Sequence, residues 1–600
     1  MKAFVHYAIV AKDLAAHLFE VTLSISAPDS SGQLLVLPAW IPGSYMIREF
    51  ARHIVQIDAM AAGKKIRLKK IDKHSWQAAP CTGPLVVTYQ VYAWDLSVRA
   101  AHLDQTHGFF NGSSVFLAVT GQEQQPHVVD IRKPEDAACR LWRVATSLPE
   151  HKAKRYGFGT YRADNYDALI DHPVEMGTFE LATFKAHGVP HDVVTTGRVP
   201  NLDMPRLCAD LKKICEAQIA LFDPEKKQAP MARYVFMTLA VGDGYGGLEH
   251  RASTALICNR ADLPVRGKKA MTDGYRSFLG LCSHEYFHTW NVKRIKPAAF
   301  APYQLDRETY TPMLWLFEGF TSYYDDLILR RSGLIDDASY LQLVSKTING
   351  VLRGAGRLKQ SVAESSFDAW TKYYRQDENA TNAIVSYYTK GSLVALTLDL
   401  TIRAGTAGKK SLDDVMRALW QRYGRDFYAE NGSRGVTEED VDALFNEISG
   451  LKLKPLLDRC VRGTGDLPLA DVLAPFGISL ASKSIATAVA LGVRTTPDGR
   501  DCKLASVFAN GVAHRAGLSA GDVLIALDGL RITATNLTGL LERYSAGDSV
   551  TLQAFRRDEL TSFTVKLALD DAPQLQLTSQ AKPSAAVKLR KAWLEAIYDR

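Results

Sequence analysis

One stretch constrains this chain more than any other: Ser283-His284-Glu285-Tyr286-Phe287-His288-Thr289-Trp290, which reads H-E-x-x-H. Histidines at i and i+4 leave an α-helix on the same side about one turn apart, so both imidazoles can reach one ion. Glu285 sits one step round from His284 and three before His288, where a carboxylate can touch water at the ion without ligating it. That geometry demands a helix, and the flanks supply one. From Asp273 to Asn291 there is no proline, and the only glycines are Gly274 and Gly280. Phe278, Leu281, Cys282, Tyr286, Phe287 and Trp290 place apolar side chains on most sides, which predicts a buried helix. Thr272 or Asp273 is expected to cap its start, and Lys293, Arg294 and Pro297 to mark its end. Cys282, two residues before His284, points away from it on a helix and reads as core packing.

A hydrolytic zinc site takes three protein ligands and leaves one position open. Leu314 to Tyr324 offers the third. There Glu318 is a lone carboxylate in an apolar helical run, where burial without a partner is costly and a cation removes the cost. The expectation is one zinc ion per chain on His284, His288 and Glu318, with Glu285 as general base. Upstream lies Gly242-Asp243-Gly244-Tyr245-Gly246-Gly247-Leu248-Glu249-His250. It lacks the G-K-[ST] of a phosphate loop, and no helix follows it immediately. Gly246 and Gly247 instead permit close approach of a ligand, as for a peptide lying along a sheet edge.

H-E-x-x-H followed by Trp315-Leu316-Phe317-Glu318-Gly319, a W-x-x-E-G, resembles the gluzincin metallopeptidases. Within them the chain is similar to the glycyl aminopeptidase family, and more distantly to the aminopeptidase N family. Pro38 to Tyr45, Gly246 to His250 and Tyr387-Tyr388-Thr389-Lys390-Gly391 carry the same resemblance, which runs from near residue 1 to about residue 570. It implies a thermolysin-like catalytic domain joined to a PDZ domain, with Glu318 as third zinc ligand. In related aminopeptidases a G-x-M-E-N glutamate binds the substrate's α-amine. Glu249 occupies that place, although Leu248 and His250 depart from the pattern. A Y-x-K-G tyrosine donates to the oxyanion in such enzymes; Tyr388 is in register and Tyr387 is the fallback. The resemblance further implies removal of small amino-terminal residues such as Gly or Ala from peptides with a free N-terminus. No role is assigned to Trp40, Tyr45 or Arg48.

The expected architecture is multidomain α+β. Residues 1–175 form an N-terminal β-rich domain, with strands at Ala3 to Ala11, Phe19 to Ile25 and Leu85 to Tyr92. Residues 176–470 form the zinc peptidase domain, mixed α/β to about residue 330 and helical beyond. Expected elements there are helices over Leu202 to Phe222, Asp337 to Val351, Gly391 to Arg403 and Leu412 to Tyr423, and strands over Tyr234 to Val241 and Thr254 to Ile257. Residues 475–570 resemble a PDZ domain through Ala516-Gly517-Leu518-Ser519-Ala520-Gly521-Asp522. There Leu491-Gly492-Val493 is the candidate loop for a peptide carboxyl terminus. Residues 571–600 read as a linker and a C-terminal helix from Val587 to Tyr598, able to dock on the body or on another subunit of a homo-oligomer.

Eight scattered cysteines without a C-x-x-C pair suit free thiols in a reducing compartment, hence the cytoplasm. The net charge of +7 is spread over short basic runs with no interleaved aromatics, so a nucleic-acid surface is not expected. No apolar run is long enough for a membrane span, and Ala3 to Ala11 reads as a strand rather than a signal peptide. Two other functions fit the same motifs. One is an endopeptidase to which the PDZ-like domain delivers protein carboxyl termini. The other is a non-catalytic peptide-binding protein with a vestigial zinc site.

Overall fold

The computed structural model describes residues 5–429, 434–482, 489–569, 574–580 and 585–595. It divides into two compact units, Met1–Thr309 with Met416–Thr437, and Tyr310–Val415 with Glu438–Ile597. The architecture is multidomain α+β: a β-rich N-terminal part, a mixed region, a helical region and a C-terminal PDZ-like part.

The first unit begins with a seven-stranded sheet built around the antiparallel pair Val5–Asp13 and Leu18–Ile25. Alternate residues Phe19, Val21, Leu23 and Ile25 are fully buried against Tyr7, Ile9, Val87 and Tyr89, as the two-residue period of a half-buried strand requires. Two four-stranded sheets follow in the same part, which ends at Val174–Gly177. Next comes a five-stranded mixed sheet of β1 (Glu180–Ala186), β2 (Val189–Thr196), β3 (Tyr234–Val241), β4 (Tyr245–Glu249) and β5 (Ser253–Asn259), in the order β1-β2-β3-β5-β4. The near-continuous apolar run of β3 suits its central, parallel place. That leaves glycine-rich β4 at the edge, antiparallel to β5. Helix α1 (Met204–Phe222), capped by Asp203, packs beside α2 (Asp273–Phe287), which carries the H-E-x-x-H.

In the second unit Glu318 lies in a π-helical turn, Trp315–Gly319, that runs into α3 (Phe320–Arg331). Helix α4 (Thr389–Gly405) crosses that turn. The PDZ sheet places Val493–Asp498 at its edge, over a core of Leu504, Leu524, Leu527, Leu552 and Val565. Helix α5 (Ala585–Leu594) closes the described chain, and its Trp593 is fully buried within this unit.

Two expectations need correction. Helix α2 ends at Phe287, not near Asn291, because the chain turns sharply: Lys293 N–H donates to His288 O and Ile295 N–H to Trp290 O. The expected linker beyond residue 570 contains a strand, Leu575–Ser579, paired antiparallel with Ile478–Ser482. Apolar Leu577 anchors it, since the side chain is buried. The remaining linker positions 571–573 and 581–584 and the helix end at Tyr598 lie outside the described residues. No helix among the described residues is long and apolar enough to cross a membrane.

Candidate active site

Thr272 accepts a hydrogen bond from Tyr275 N–H and starts α2. Gln218 of α1 holds the helix in place by donating to the Ser283 carbonyl at 2.8 Å. His284 and His288 lie one turn apart with ring centroids 4.7 Å apart. His288, at the C-cap, is 1% exposed. Its Nδ1–H donates to the buried Asn291 carbonyl at 2.8 Å, which fixes the tautomer and leaves Nε2 for a metal.

Glu285 lies against β4. A Cβ built on Gly247 would stand 2.1 Å from Glu285 Oε1, so only glycine leaves room for this carboxylate. Side chains two apart on a strand share a face, so Glu249 projects to the side on which Glu285 meets Gly247. Glu249 is 3% exposed, a buried carboxylate. Gly43, at φ +95°, closes over it: a Cβ there would stand 2.4 Å from Glu249 Oε2. Gly246 flanks Ile257 and Arg99 without such crowding.

Sequence reasoning missed the roles of the loop through Pro38 to Arg48. Trp40 Nε1–H donates to Gln304 O at 2.8 Å, Tyr45 stacks on Phe300 and Arg48 donates to Ser44 Oγ. These contacts hold the loop that covers Glu249. The signals in the sequence were the Pro-Gly-Ser turn and the family resemblance of Pro38 to Tyr45.

In the second unit Glu318 is 2% exposed. Gly319 and Gly391 meet backbone to backbone: a Cβ on Gly319 would stand 2.6 Å from Gly391 Cα. The glycines that end W-x-x-E-G and Y-x-K-G thus let the turn bearing Glu318 lie directly on α4. Tyr388 sits at the N-cap of α4, partly exposed, with its hydroxyl 3.2 Å from that of Tyr374. Tyr387 is fully buried against Tyr373, and burial together with nearby Glu318 raises its hydroxyl pKa. Lys390 points elsewhere, donating to Arg357 O and Gly465 O, and so has a structural part.

The candidate metal ligands are His284 and His288 in the first unit and Glu318 in the second. Two imidazoles and one carboxylate suit zinc with an open position. A second such group, His102, Asp104 and His107, is engaged internally. There Glu175 pairs with His107 at 3.2 Å, and Asp104 accepts from Thr106 and His107 backbone N–H.

The Peptidase M61 N-terminal domain profile matches residues 6–178, the M61 glycyl aminopeptidase profile residues 277–394, and the PDZ domain profile residues 489–567. A crystal structure of an aminopeptidase N family protein from Idiomarina loihiensis is 43% identical. It covers 98% of this chain and 100% of its own, with a TM-score of 0.93. The chain belongs to the M61 glycyl aminopeptidase family. As a member of it, the protein is a metallopeptidase with a PDZ domain. An M1 zinc metallopeptidase from Deinococcus radiodurans is 13% identical over 78% of this chain and 95% of its own, with a TM-score of 0.48. Yeast LTA4 hydrolase is 14% identical over 81% of this chain and 72% of its own, with a TM-score of 0.43. No curated protein matches the sequence.

Proposed function

We propose that the protein is a zinc-dependent aminopeptidase that removes small residues, such as Gly or Ala, from peptides with a free N-terminus. The observation that carries this reading is the pair of glycine-cradled carboxylates: Glu285 against Gly247, and Glu249 buried beneath Gly43. The first is the general base. The second, an acid held on the same face of β4, suits a cationic α-ammonium and so fixes cleavage one residue from the end. The removed residue is small by family resemblance alone.

His284, His288 and Glu318 would hold one zinc ion, and their chemistry, two imidazoles and one carboxylate, supports this set. Zinc when bound polarises the scissile carbonyl and lowers the pKa of water at its open position toward about 7. Glu285 takes the proton of the attacking water and delivers it to the leaving amine. Tyr388 donates its hydroxyl to the developing oxyanion, a contribution typically worth about 10²–10³ in rate. Its partial exposure favours it over fully buried Tyr387. The edge strand Val493–Asp498 leaves the PDZ domain able to pair with a peptide carboxyl terminus. All eight cysteines are free thiols, which supports a cytoplasmic setting.

The test is one assay on free, N-acetylated and long peptides, with and without chelator. An aminopeptidase cleaves only free N-termini and stops when chelated. Equal cleavage of acetylated peptides would instead establish an endopeptidase, and no cleavage at all a binding protein.

A further inference from the structure

The first unit holds a cavity of about 730 Å³, a size suited to a small organic ligand, and none of the proposed catalytic residues lines it. Its wall includes Lys296, which lies just beyond the turn that ends α2. That side chain is 2% exposed. Its ammonium faces aromatic rings, with centroids at 4.2 Å for Tyr303, 4.9 Å for Phe427 and 5.1 Å for Tyr428. Among the described residues it has no ion pair and no side-chain hydrogen bond.

The neighbouring cations already have polar partners. Lys293 pairs with Asp171 at 2.7 Å, and Arg251 pairs with both Asp171 and Asp167. Arg294 donates to the carbonyls of Arg251, Thr289 and Pro230. Lys293 also feels Glu249. Lys293 and Arg251 thus have carboxylate partners and Arg294 has carbonyl acceptors, so of these four cations Lys296 alone has neither. Burial and the nearby Arg251 and Lys293 push its pKa down to about 7, partly opposed by Asp167. A cation buried without a counter-charge is costly, and ring faces offset only part of that cost. Two carboxylates on the wall are engaged elsewhere, Glu123 by Gly121 N–H and Asp306 by Arg307.

We propose that this cavity binds a small organic carboxylate with an aromatic or branched apolar body, its carboxylate paired with Lys296 and its body among Phe300, Tyr303, Phe427 and Tyr428. The pairing supplies the missing charge, and the rings supply apolar surface on the same wall. The inference does not rest on the peptidase reading.

The test is fluorine NMR of the full chain with 4-fluorophenylacetate, beside 4-fluorophenylacetamide and 4-fluorobenzylamine as neutral and cationic analogues. The acid should bind, and the amide and the amine at least ten-fold more weakly. Lys296→Met should weaken the acid by at least ten-fold and leave the amide unchanged. Ala118→Trp, which adds bulk to the cavity wall from a strand, should remove binding of all three while the melting curve persists. Failure of the acid to bind, equal binding of acid and amide, or unchanged acid binding in Lys296→Met overturns the proposal.

Discussion

At the residue scale, the proposed base, Glu285, is positioned by an absence of side chain. Glu285 occupies the space a methyl group on Gly247 would take. Gly247→Ala should therefore displace the carboxylate and lower kcat by about 10²-fold, the typical effect of misplacing a catalytic group by an ångström. Metal content, read by mass spectrometry, should not change. Glu285→Gln keeps the shape but loses the base, so kcat/KM should fall by about 10²–10⁴ at full metal loading. Retained turnover would remove Glu285 from the mechanism. Glu249→Gln should raise KM for free peptides and leave acetylated ones as they were. His284, Glu285 and His288 were legible because their relation is local, fixed by helical spacing. The burial of Glu249 under Gly43 was not, since about two hundred residues separate the two positions. No periodicity reports a contact across that distance.

At the element scale, the start of α2 was easier to read than its end. Thr272 announces α2 by its capping chemistry. The end of α2 depends on the turn through Lys293 and Ile295, which tertiary contacts impose. The fate of α5 was equally hidden, because its helical stripe does not say what it covers. Trp593 Nε1–H donates to Tyr323 OH at 2.8 Å. Arg331 donates to Trp593 O, and Arg403 to Ala592 O. Both arginines are buried with Asp399 and Asp413. The last described helix is thus bound to α3, which continues from Glu318. Trp593→Ala should destabilise the second unit by about 3–5 kcal/mol, seen as an earlier thermal transition. An unchanged melting curve would show that α5 contributes little.

At the scale of the whole molecule, acid should weaken the first unit before the second. Burial lowers His127 and His191 to about 4 and His172 to about 3, and all three lie in the first unit. Their pKa in the unfolded chain is near 6.5, so below that pH the unfolded state binds protons the folded state refuses. Stability is then full above about pH 6.5 and falls as pH drops towards 4, by at most about 4 kcal/mol per pH unit for three groups. His107, raised by its pairing with Glu175, opposes part of this. Calorimetry at pH 7 and pH 5 should show the lower transition moving down in acid, and a pH-independent transition would contradict it.

The central claim is that His284, His288 and Glu318 hold one zinc ion, and anomalous diffraction at the zinc edge from crystals of the purified protein tests it most directly. The account predicts a single strong peak about 2.0–2.2 Å from an imidazole nitrogen of each histidine and from the Glu318 carboxylate. Active crystals with no anomalous peak there, or with the metal bound at other side chains, would contradict it.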